Sequence, residues 1–212
     1  NTNIISKLWL FPYSLEFKPI TKEEKEWSSF LPESRRNEFI FSRGYTRFAL
    51  SSIFDIEPLS IPLYAKPGQP PELDKGFGFS SISHCEDALL VGWSNSRIGV
   101  DIESINRSFD VKRLSNYLLS YKEKLFIQDS HEDSITKKFL SIWVRKEALV
   151  KYARGNILRD FKNWKINESS NSATCIITSK SISVNYAKFH SWMIGVASNS
   201  NLSTIPEIKT FD

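Results

Sequence analysis

The sequence predicts an α+β protein of two similar α/β lobes in a pseudo-twofold arrangement. Three observations favour this class. Helical and strand periodicities alternate along the chain, two pairs of segments recur in the same order in both halves, and each half contains one long helical pattern. We expect the first lobe to span residues 1–97 and the second residues 98–212. Because clefts between such lobes commonly bind ligands, the active site is expected there.

The composition is that of an ordinary globular protein and excludes several classes. The chain has 212 residues, 41% hydrophobic and 25% charged. Its net charge of +4 favours acidic partners, and no basic block indicates nucleic acid. Cys85 and Cys175 are the only cysteines, so neither a zinc site nor a disulfide framework is expected. The lack of a disulfide framework favours a reducing, cytoplasmic location. No apolar run or leader predicts a membrane span or a secretion signal.

The elements of the first half are marked by periodicity and capping signals. Thr21 with Glu24 three residues later has the spacing of a capping box at a helix start. The remaining patterns predict a strand at Lys7–Phe11, a helix from about Glu33 to Phe54, a proline-rich loop from Tyr64 to Pro71 and a hairpin over Phe79–Trp93.

The second half opens on the clearest strand of the chain, Ile98–Glu103, in which Asp101 and Glu103 share one face. The patterns that follow predict a helix at Val111–Phe126, a polar loop around Asp129–Ser134, a helix from Asp133 to Ala153, and strands near Thr174–Ser179, Ile182–Tyr186 and Trp192–Ala197.

A faint internal duplication supports the two-lobe prediction. Residues 30–40 resemble residues 117–127, and residues 83–96 resemble residues 189–200. Either match alone could arise by chance, but both occur in the same order.

The stretch Trp143–Lys151 carries the first chemical signal. Glu147 and Lys151 follow Trp143 at steps of four, on the edge of the apolar arc of the helix, and Lys146 falls inside that arc. A surface ion pair between Glu147 and Lys151 is the simplest interpretation. Lys146 argues against it, because a lysine directed into a core must find an anion, lose its charge or extend to solvent.

Asp101 and Glu103 suggest what lies opposite these lysines. Two carboxylates on one strand face repel each other, and a hard divalent cation relieves this repulsion. An Asp-x-Glu pair alone is most often the wet face of a sheet. Together with Glu147 it predicts a Mg²⁺ site, with Mn²⁺ as an alternative. Lys146 and Lys151 would then hold phosphate charge, and the implied chemistry is phosphoryl or phosphodiester transfer.

These motifs resemble the paired signature of the 4′-phosphopantetheinyl transferases of the surfactin-synthetase type. The resemblance rests on residues 99–103 and on the pattern Trp143-x-x-Lys-Glu-Ala-x-x-Lys151, with residues 64–67, residues 82–84 and Arg47 as further matches. It implies transfer of the phosphopantetheine group of coenzyme A to a serine of an acyl or peptidyl carrier protein, with release of adenosine 3′,5′-bisphosphate. A monomer that engages neither nucleic acid nor membrane is expected.

The resemblance also implies residue roles. Asp101, Glu103 and Glu147 correspond to the Mg²⁺ ligands, and Glu147 could activate the serine hydroxyl directly or through water. Lys151 corresponds to the residue that neutralises or protonates the leaving phosphate. A third set of residues is expected to bind coenzyme A. Lys146 would contact its phosphates, and Lys66 and Pro67 would bind the adenine end. The 3′-phosphate and pyrophosphate would be bound by Arg47, Ser83 and His84. A hydrogen-bonded structural histidine is the alternative for His84.

The sequence departs from the family pattern at Ala65, where a glycine is usual, at Cys85, and at Gly155, which arrives one residue late. Arg35 and Arg36 are candidates for family lysines that are otherwise unmatched. The segment between the two metal motifs is the expected carrier-protein surface, through Lys112, Arg113, Tyr117, Leu118, Tyr121 and Lys122.

Two other functions were weighed. A metal-dependent nuclease would use similar carboxylates, but its common pattern places a lysine two residues after an acid on the same strand, where this chain has Ile105. A carrier-binding module without catalysis would not need the intact carboxylates and lysines.

Overall fold

A computed structural model describes residues 4–128 and 132–211. Its contacts divide the chain into two compact units. Unit 1 comprises Asn1–Arg97 with Pro206–Asp212, and unit 2 comprises Ile98–Ile205. Both units combine helices with antiparallel strands, so the predicted α+β class is confirmed. None of the helices in the described residues combines the length and apolar character that a membrane crossing needs.

Unit 1 packs its long helix on a small sheet. Strand β5 pairs antiparallel with β1 on one side and with β4 on the other. Thr21 and Glu24 form the predicted capping box, each side chain bonding the backbone amide of the other. The elements in order are β1 (Ser6–Pro12), α1 (Lys22–Ser29), α2 (Glu33–Phe54), β2 (Leu63–Tyr64), β3 (Glu72–Leu73), β4 (Phe79–His84) and β5 (Ala88–Ser94).

Unit 2 has a five-stranded antiparallel sheet in the order β6-β10-β9-β8-β7. Its first strand carries the Asp-x-Glu pair and its longest helix carries the Lys-Glu pair. The elements in order are β6 (Ile98–Ser104), α3 (Val111–Leu118), α4 (Tyr121–Gln128), α5 (Glu132–Tyr152), α6 (Ile157–Asp160), β7 (Trp164–Asn167), β8 (Ser172–Cys175), β9 (Ser181–Phe189) and β10 (Trp192–Ser198).

Helix α5 is the core of unit 2 and is buried on nearly every side. The predicted one-sided apolar arc is therefore too narrow, and Ala153, placed on that arc, is exposed. Side chains all around the helix have no exposed surface, among them Phe139, Leu140, Ile142, Val144, Ala148, Leu149 and Val150. A helix of this kind forces its charged residues to find partners inside the protein.

Two glycines let α5 approach the sheet closely. A Cβ atom built on Gly99 of β6 would lie 2.0 Å from the carbonyl oxygen of Ala148. One built on Gly195 of β10 would lie 2.4 Å from the carbonyl oxygen of Val144. Because both obstacles are helix backbone, neither can rotate away, and any larger residue would push α5 off the sheet.

The predicted elements differ from the structure in three places within unit 2. The helix expected over 111–126 is two helices, since Ser120 and Glu123 cap a new helix at Tyr121. The strand expected at Thr174–Ser179 ends at Cys175, and β7 and α6 were not predicted. The polar loop expected around Asp129–Ser134 falls partly outside the described residues, and the backbone is helical from Glu132 onward.

The predicted end of the second lobe at residue 212 is wrong. Strand β11 (Ile208–Thr210) pairs in parallel with β1 and extends the unit 1 sheet to the order β11-β1-β5-β4. Phe211 then stacks on Phe11, with ring centroids 4.8 Å apart. The last residues therefore belong to the core of unit 1.

The duplication is visible in the topology, with one change of register. Each unit runs from a strand through a capped helix and a long helix to a hairpin, β4–β5 in unit 1 and β9–β10 in unit 2. Helix α4 precedes α5 as α1 precedes α2. The predicted match of residues 30–40 to 117–127 is therefore shifted, because it aligns the start of α2 with the start of α4.

Candidate active site

Three carboxylates from two elements of unit 2 converge. Asp101 and Glu103 project from the same face of β6, and Glu147 comes from α5. One oxygen from each lies within 4.8 Å of the other two. The close packing of α5 on β6 at Gly99 produces this convergence. The structure thus brings together the three residues that the sequence singles out as metal ligands.

Two cations stand beside these carboxylates. Lys151, one helical turn beyond Glu147, places its Nζ 2.7 Å from Oδ1 of Asp101. Arg107, from the segment after β6, donates a hydrogen bond from Nη1 to Oε1 of Glu103. The cluster therefore holds three acidic groups against two basic ones.

Burial and mutual repulsion perturb the acids. Burial, together with the neighbouring charge of Asp101, raises the pKa of Glu147 from its ordinary value of 4.5 to about 8, although Lys151 opposes the shift. Burial likewise raises the pKa of Glu103, partly offset by its bond from Arg107. Carboxyl groups that cannot all ionise together are a fitting donor set for a hard divalent cation. The residues present therefore fit Mg²⁺ or Mn²⁺.

Lys146 has a different partner from the predicted coenzyme A phosphate. Its Nζ lies 2.9 Å from Oε2 of Glu123, and both side chains are only 1% exposed. The same ammonium lies 5.4 Å from the ring centroid of Phe161. Burial lowers the pKa of Lys146, while Glu123 acts in the opposite direction. Glu123 thus supplies an anion for Lys146 inside unit 2, and a contact between Lys146 and a coenzyme A phosphate stays a prediction.

Arg47 is also committed within the core of its unit. Its Nε and Nη2 donate to the Glu24 carboxylate, and its remaining donors reach backbone carbonyls, including those of Ile61 at 2.7 Å and Leu63 at 3.1 Å. A guanidinium has five donors, and these bonds with a longer one to Pro58 use them all. These bonds occupy Arg47 inside unit 1, and its role in binding coenzyme A stays a prediction.

The other residues of unit 1 predicted to bind coenzyme A are exposed or half-buried, except for Ser83. Ser83 is buried on β4, and its neighbour His84 projects to the opposite side, with Nε2 3.2 Å from Oε1 of Glu38. Lys66 sits beside two aromatic rings, with its Nζ 5.6 Å from the ring centroid of Trp27 and 5.4 Å from that of Tyr64. Pro67 is half-buried.

The two arginines considered for unmatched lysines have separate environments. Arg36 donates from Nε to the carbonyl of Ser28 and from Nη2 to that of Leu31, and so closes the end of α1. Arg35 is exposed at the start of α2.

The predicted partner surface lies on α3 and α4. Lys112, Arg113 and Lys122 are exposed, and Tyr117 and Tyr121 are 73% and 75% exposed. Leu118 instead packs against the unit 2 core. This surface therefore presents basic groups beside largely exposed tyrosine rings, with the Nζ of Lys162 4.1 Å from the ring centroid of Tyr117.

Sequence reasoning missed two residues that matter to the cluster. Glu123 could have been found, because Ser120-x-x-Glu123 has the capping-box spacing and stands as far before Lys146 as Glu24 stands before Arg47. Arg107 follows Glu103 by four residues in an irregular segment, where spacing predicts no contact.

Comparison with known proteins gives consistent matches for this part of the chain. The model of the 4′-phosphopantetheinyl transferase superfamily matches residues 97–200. Over 127 residues the chain is 32% identical to the 4′-phosphopantetheinyl transferase AcpT of Escherichia coli K12, which covers 58% of this chain and 60% of the relative. It is 26% identical over 127 residues to the 4′-phosphopantetheinyl transferase HetI of Nostoc sp. PCC 7120, covering 58% of this chain and 53% of the relative.

The match to these curated relatives spans less than two thirds of their length. The matched family segment, however, contains all three carboxylates of the cluster and both lysines of the long helix. Residues 97–200 of this chain are therefore similar to the 4′-phosphopantetheinyl transferase superfamily.

Proposed function

We propose that this protein transfers the 4′-phosphopantetheine group of coenzyme A to a serine of an acyl or peptidyl carrier protein, with Mg²⁺ as cofactor. The serine oxygen would form a bond to the β-phosphorus as the pyrophosphate bond breaks, and adenosine 3′,5′-bisphosphate would leave. The observation that carries the proposal is the convergence of Asp101, Glu103 and Glu147 within 4.8 Å.

Each member of the cluster has a role that its surroundings support. When bound, the cation would neutralise phosphate oxygens and favour attack at phosphorus. Asp101, Glu103 and Glu147 would hold it. Glu147 is also the proposed acceptor of the serine proton, directly or through a water molecule, since its carboxylate lies at the cluster where the phosphate would be held.

Lys151 is the proposed counter-charge for the departing phosphate. Its ammonium lies at the cluster, 2.7 Å from Asp101, and is partly open to solvent, so an arriving anion can share it. An ammonium at this position would stabilise negative charge on the leaving group or donate a proton to it.

The coenzyme-binding candidates include His84, Lys66 and Pro67, with Ser83 adjacent on β4. His84 would contribute hydrogen bonding to a phosphate, and Lys66 with its two neighbouring rings suits the adenine end of the nucleotide. The repeat of one fold plan in units 1 and 2 favours the surfactin-synthetase type, and we propose a monomer.

The test is a mass measurement on an apo-carrier protein incubated with the chain, coenzyme A and Mg²⁺. We expect the carrier to gain one phosphopantetheine, with loss of the product in EDTA and recovery on adding Mg²⁺ or Mn²⁺. Asp101→Ala and Glu147→Gln should lower turnover by orders of magnitude while their melting temperatures stay close to that of the wild type. Full activity in EDTA, or an active Glu147→Gln variant, would refute the site. A carrier that binds but gains no mass would indicate a binding module.

A further inference from the structure

Arg107 is a cation at the carboxylate cluster to which the proposed reaction assigns no role. It donates from Nη1 to Oε1 of Glu103, whose side chain is 9% exposed, while its own side chain is 47% exposed. The bond therefore joins a nearly buried acceptor to a donor that can leave toward solvent. Lys151 differs, since its side chain is less exposed and its partner is Asp101.

Two aromatic rings hold the guanidinium at this place. The Cζ atom of Arg107 lies 4.7 Å from the ring centroid of Phe109 and 5.9 Å from that of Trp143. A guanidinium over an aromatic face gains about 0.5–1 kcal/mol at an exposed site. The rings thus favour the conformer in which Arg107 bonds Glu103.

A divalent cation that binds Glu103 competes with the Arg107 guanidinium for its carboxylate. The guanidinium bonds one of the two Glu103 carboxylate oxygens and lowers the negative potential that attracts a cation to the cluster. We infer that Arg107 is a built-in counter-ion that competes with the divalent cation for Glu103 and so weakens cation binding. The inference deepens the proposed function, because it rests on the same three carboxylates being the cation site. Arg107 is then a residue that sets the affinity for the metal without touching the reacting atoms.

The physical logic is an exchange of charges. Without a cation, three carboxylates share two internal cations, and Arg107 satisfies Glu103. With a cation bound, the carboxylate passes to the ion, and the half-exposed guanidinium turns to water at small cost. Removing the guanidinium should leave Glu103 less compensated in the cation-free protein and raise the affinity for the ion.

The experiment titrates Mn²⁺ into the full chain, with no coenzyme A or carrier present, and follows free Mn²⁺ by electron paramagnetic resonance. Arg107→Gln removes the charge, Arg107→Lys keeps it, and Lys180→Gln removes a charge from the exposed connection between β8 and β9. We expect Arg107→Gln to bind Mn²⁺ about 3- to 10-fold more tightly at low salt, with a smaller difference at high salt. Lys180→Gln should match the wild type, and Arg107→Lys should lie between the wild type and Arg107→Gln.

Phe109→Leu separates competition from a structural role. Loss of the ring weakens the hold on the guanidinium, so this variant should bind Mn²⁺ more tightly than the wild type, by less than Arg107→Gln does. In the Arg107→Gln background the same change should have no further effect on Mn²⁺ affinity.

Unchanged or weaker Mn²⁺ binding by Arg107→Gln overturns the inference, and weaker binding would mean that the arginine orients Glu103 for the ion. If Arg107→Gln does not fold, the comparison of Phe109→Leu with the wild type decides. Absence of Mn²⁺ binding by the wild type would refute the metal site itself, and the carrier assay reports on that separately.

Discussion

At the scale of single residues, Glu147 of α5 governs how the stability of the metal-free protein depends on pH. The pKa of Glu147 is raised from 4.5 to about 8 by burial and by Asp101, so folding favours its neutral form. Below about pH 4.5 the group is neutral in both the folded and the unfolded state. As pH rises toward 8 the unfolded state ionises first, and stability is lost.

This gives the first prediction. In EDTA, the free energy of unfolding measured with urea should fall as pH rises from about 4.5 to about 8, and Glu147→Gln should flatten the fall, because an amide does not titrate. Added Mg²⁺ should stabilise the wild type more at the upper end of this range, since it binds the ionised form. The exposed Glu57→Gln serves as the control. A profile as steep in Glu147→Gln as in the wild type would show that another group is responsible.

The buried pair of Lys146 and Glu123 gives the second prediction. Sequence alone predicts that Lys146→Met is neutral or stabilising without ligand, since the anion it assigns to this lysine is a phosphate of the ligand. The structure reverses that sign. Glu123 receives Lys146 and also the backbone amides of Ser120 and Ile166, so removing the ammonium leaves a carboxylate unpaired in the core. We expect a loss of about 3–5 kcal/mol in the free energy of unfolding.

Adding Glu123→Gln to Lys146→Met should recover part of that loss, because a neutral amide still caps α4 and carries no buried charge. Lys180→Met, in the exposed connection between β8 and β9, controls for the change of side chain. If Lys146→Met unfolds at the same denaturant concentration as the wild type, the pair is not formed in solution.

At the scale of elements, the backbone contact between β6 and α5 aligns the site. Glycine at 99 lets the helix lie close enough for Glu147 and Lys151 to meet Asp101. Gly99→Ala would place a Cβ atom 2.0 Å from the carbonyl oxygen of Ala148, so the helix must move. We expect a loss of about 1–3 kcal/mol in stability from overpacking and a larger proportional loss of transfer activity, since both α5 residues move together.

The control for Gly99→Ala is Gly76→Ala. Gly76 lies at a positive φ, 99°, unlike Gly99, and nothing stands within 4 Å of its Cβ position. That variant should lose stability through backbone strain and retain activity. Equal activity losses in the two variants would contradict the argument from close packing.

Local signals explain which elements could be predicted. The bounds of α2 were predicted correctly, since a proline precedes it and periodicity runs to Phe54, where Asp55 adopts a left-handed conformation with φ of 53°. Strand β6 followed from its alternation. Strand β11 is short and depends on pairing with β1, at the opposite end of the sequence, which no local pattern reports. Strand β7 pairs with the neighbouring β8, but its four residues are too few to give a clear periodicity.

The site divides in the same way. The three carboxylates could be predicted, because strand alternation and helix spacing place them on definite faces. The ion-pair partners of Arg47 and Lys146 could not be predicted, because tertiary contacts decide which anion a buried cation meets. In each unit that anion is the glutamate of the capping box before the long helix.

At the scale of the whole molecule, the chain uses one structural plan twice and differs in what each copy carries. In unit 1 the buried pair of Glu24 and Arg47 ties the capped helix to the long one, as Glu123 and Lys146 do in unit 2. Only the second copy, among the described residues, places three carboxylates together. Both units share the scaffold, and the residues of β6 and α5 add the carboxylate cluster to unit 2.

The surface of α3 and α4 is where we expect this chemistry to meet its protein substrate. Carrier proteins present an acidic helix beside the target serine, and Lys112, Arg113, Tyr117 and Tyr121 offer exposed basic and aromatic groups.

Lys112→Glu combined with Arg113→Glu should raise the KM for the carrier by about 10-fold or more and weaken the salt dependence of this KM, because charges at the rim of an interface act on the encounter of the two proteins. The KM for coenzyme A should stay constant. Lys7→Glu with Lys209→Glu, exposed on β1 and β11, gives the same change of net charge elsewhere and should leave both constants near the wild-type values. If only the KM for coenzyme A changes, this surface binds the nucleotide. If the two double variants raise the KM for the carrier equally, the cause is net charge and not this surface.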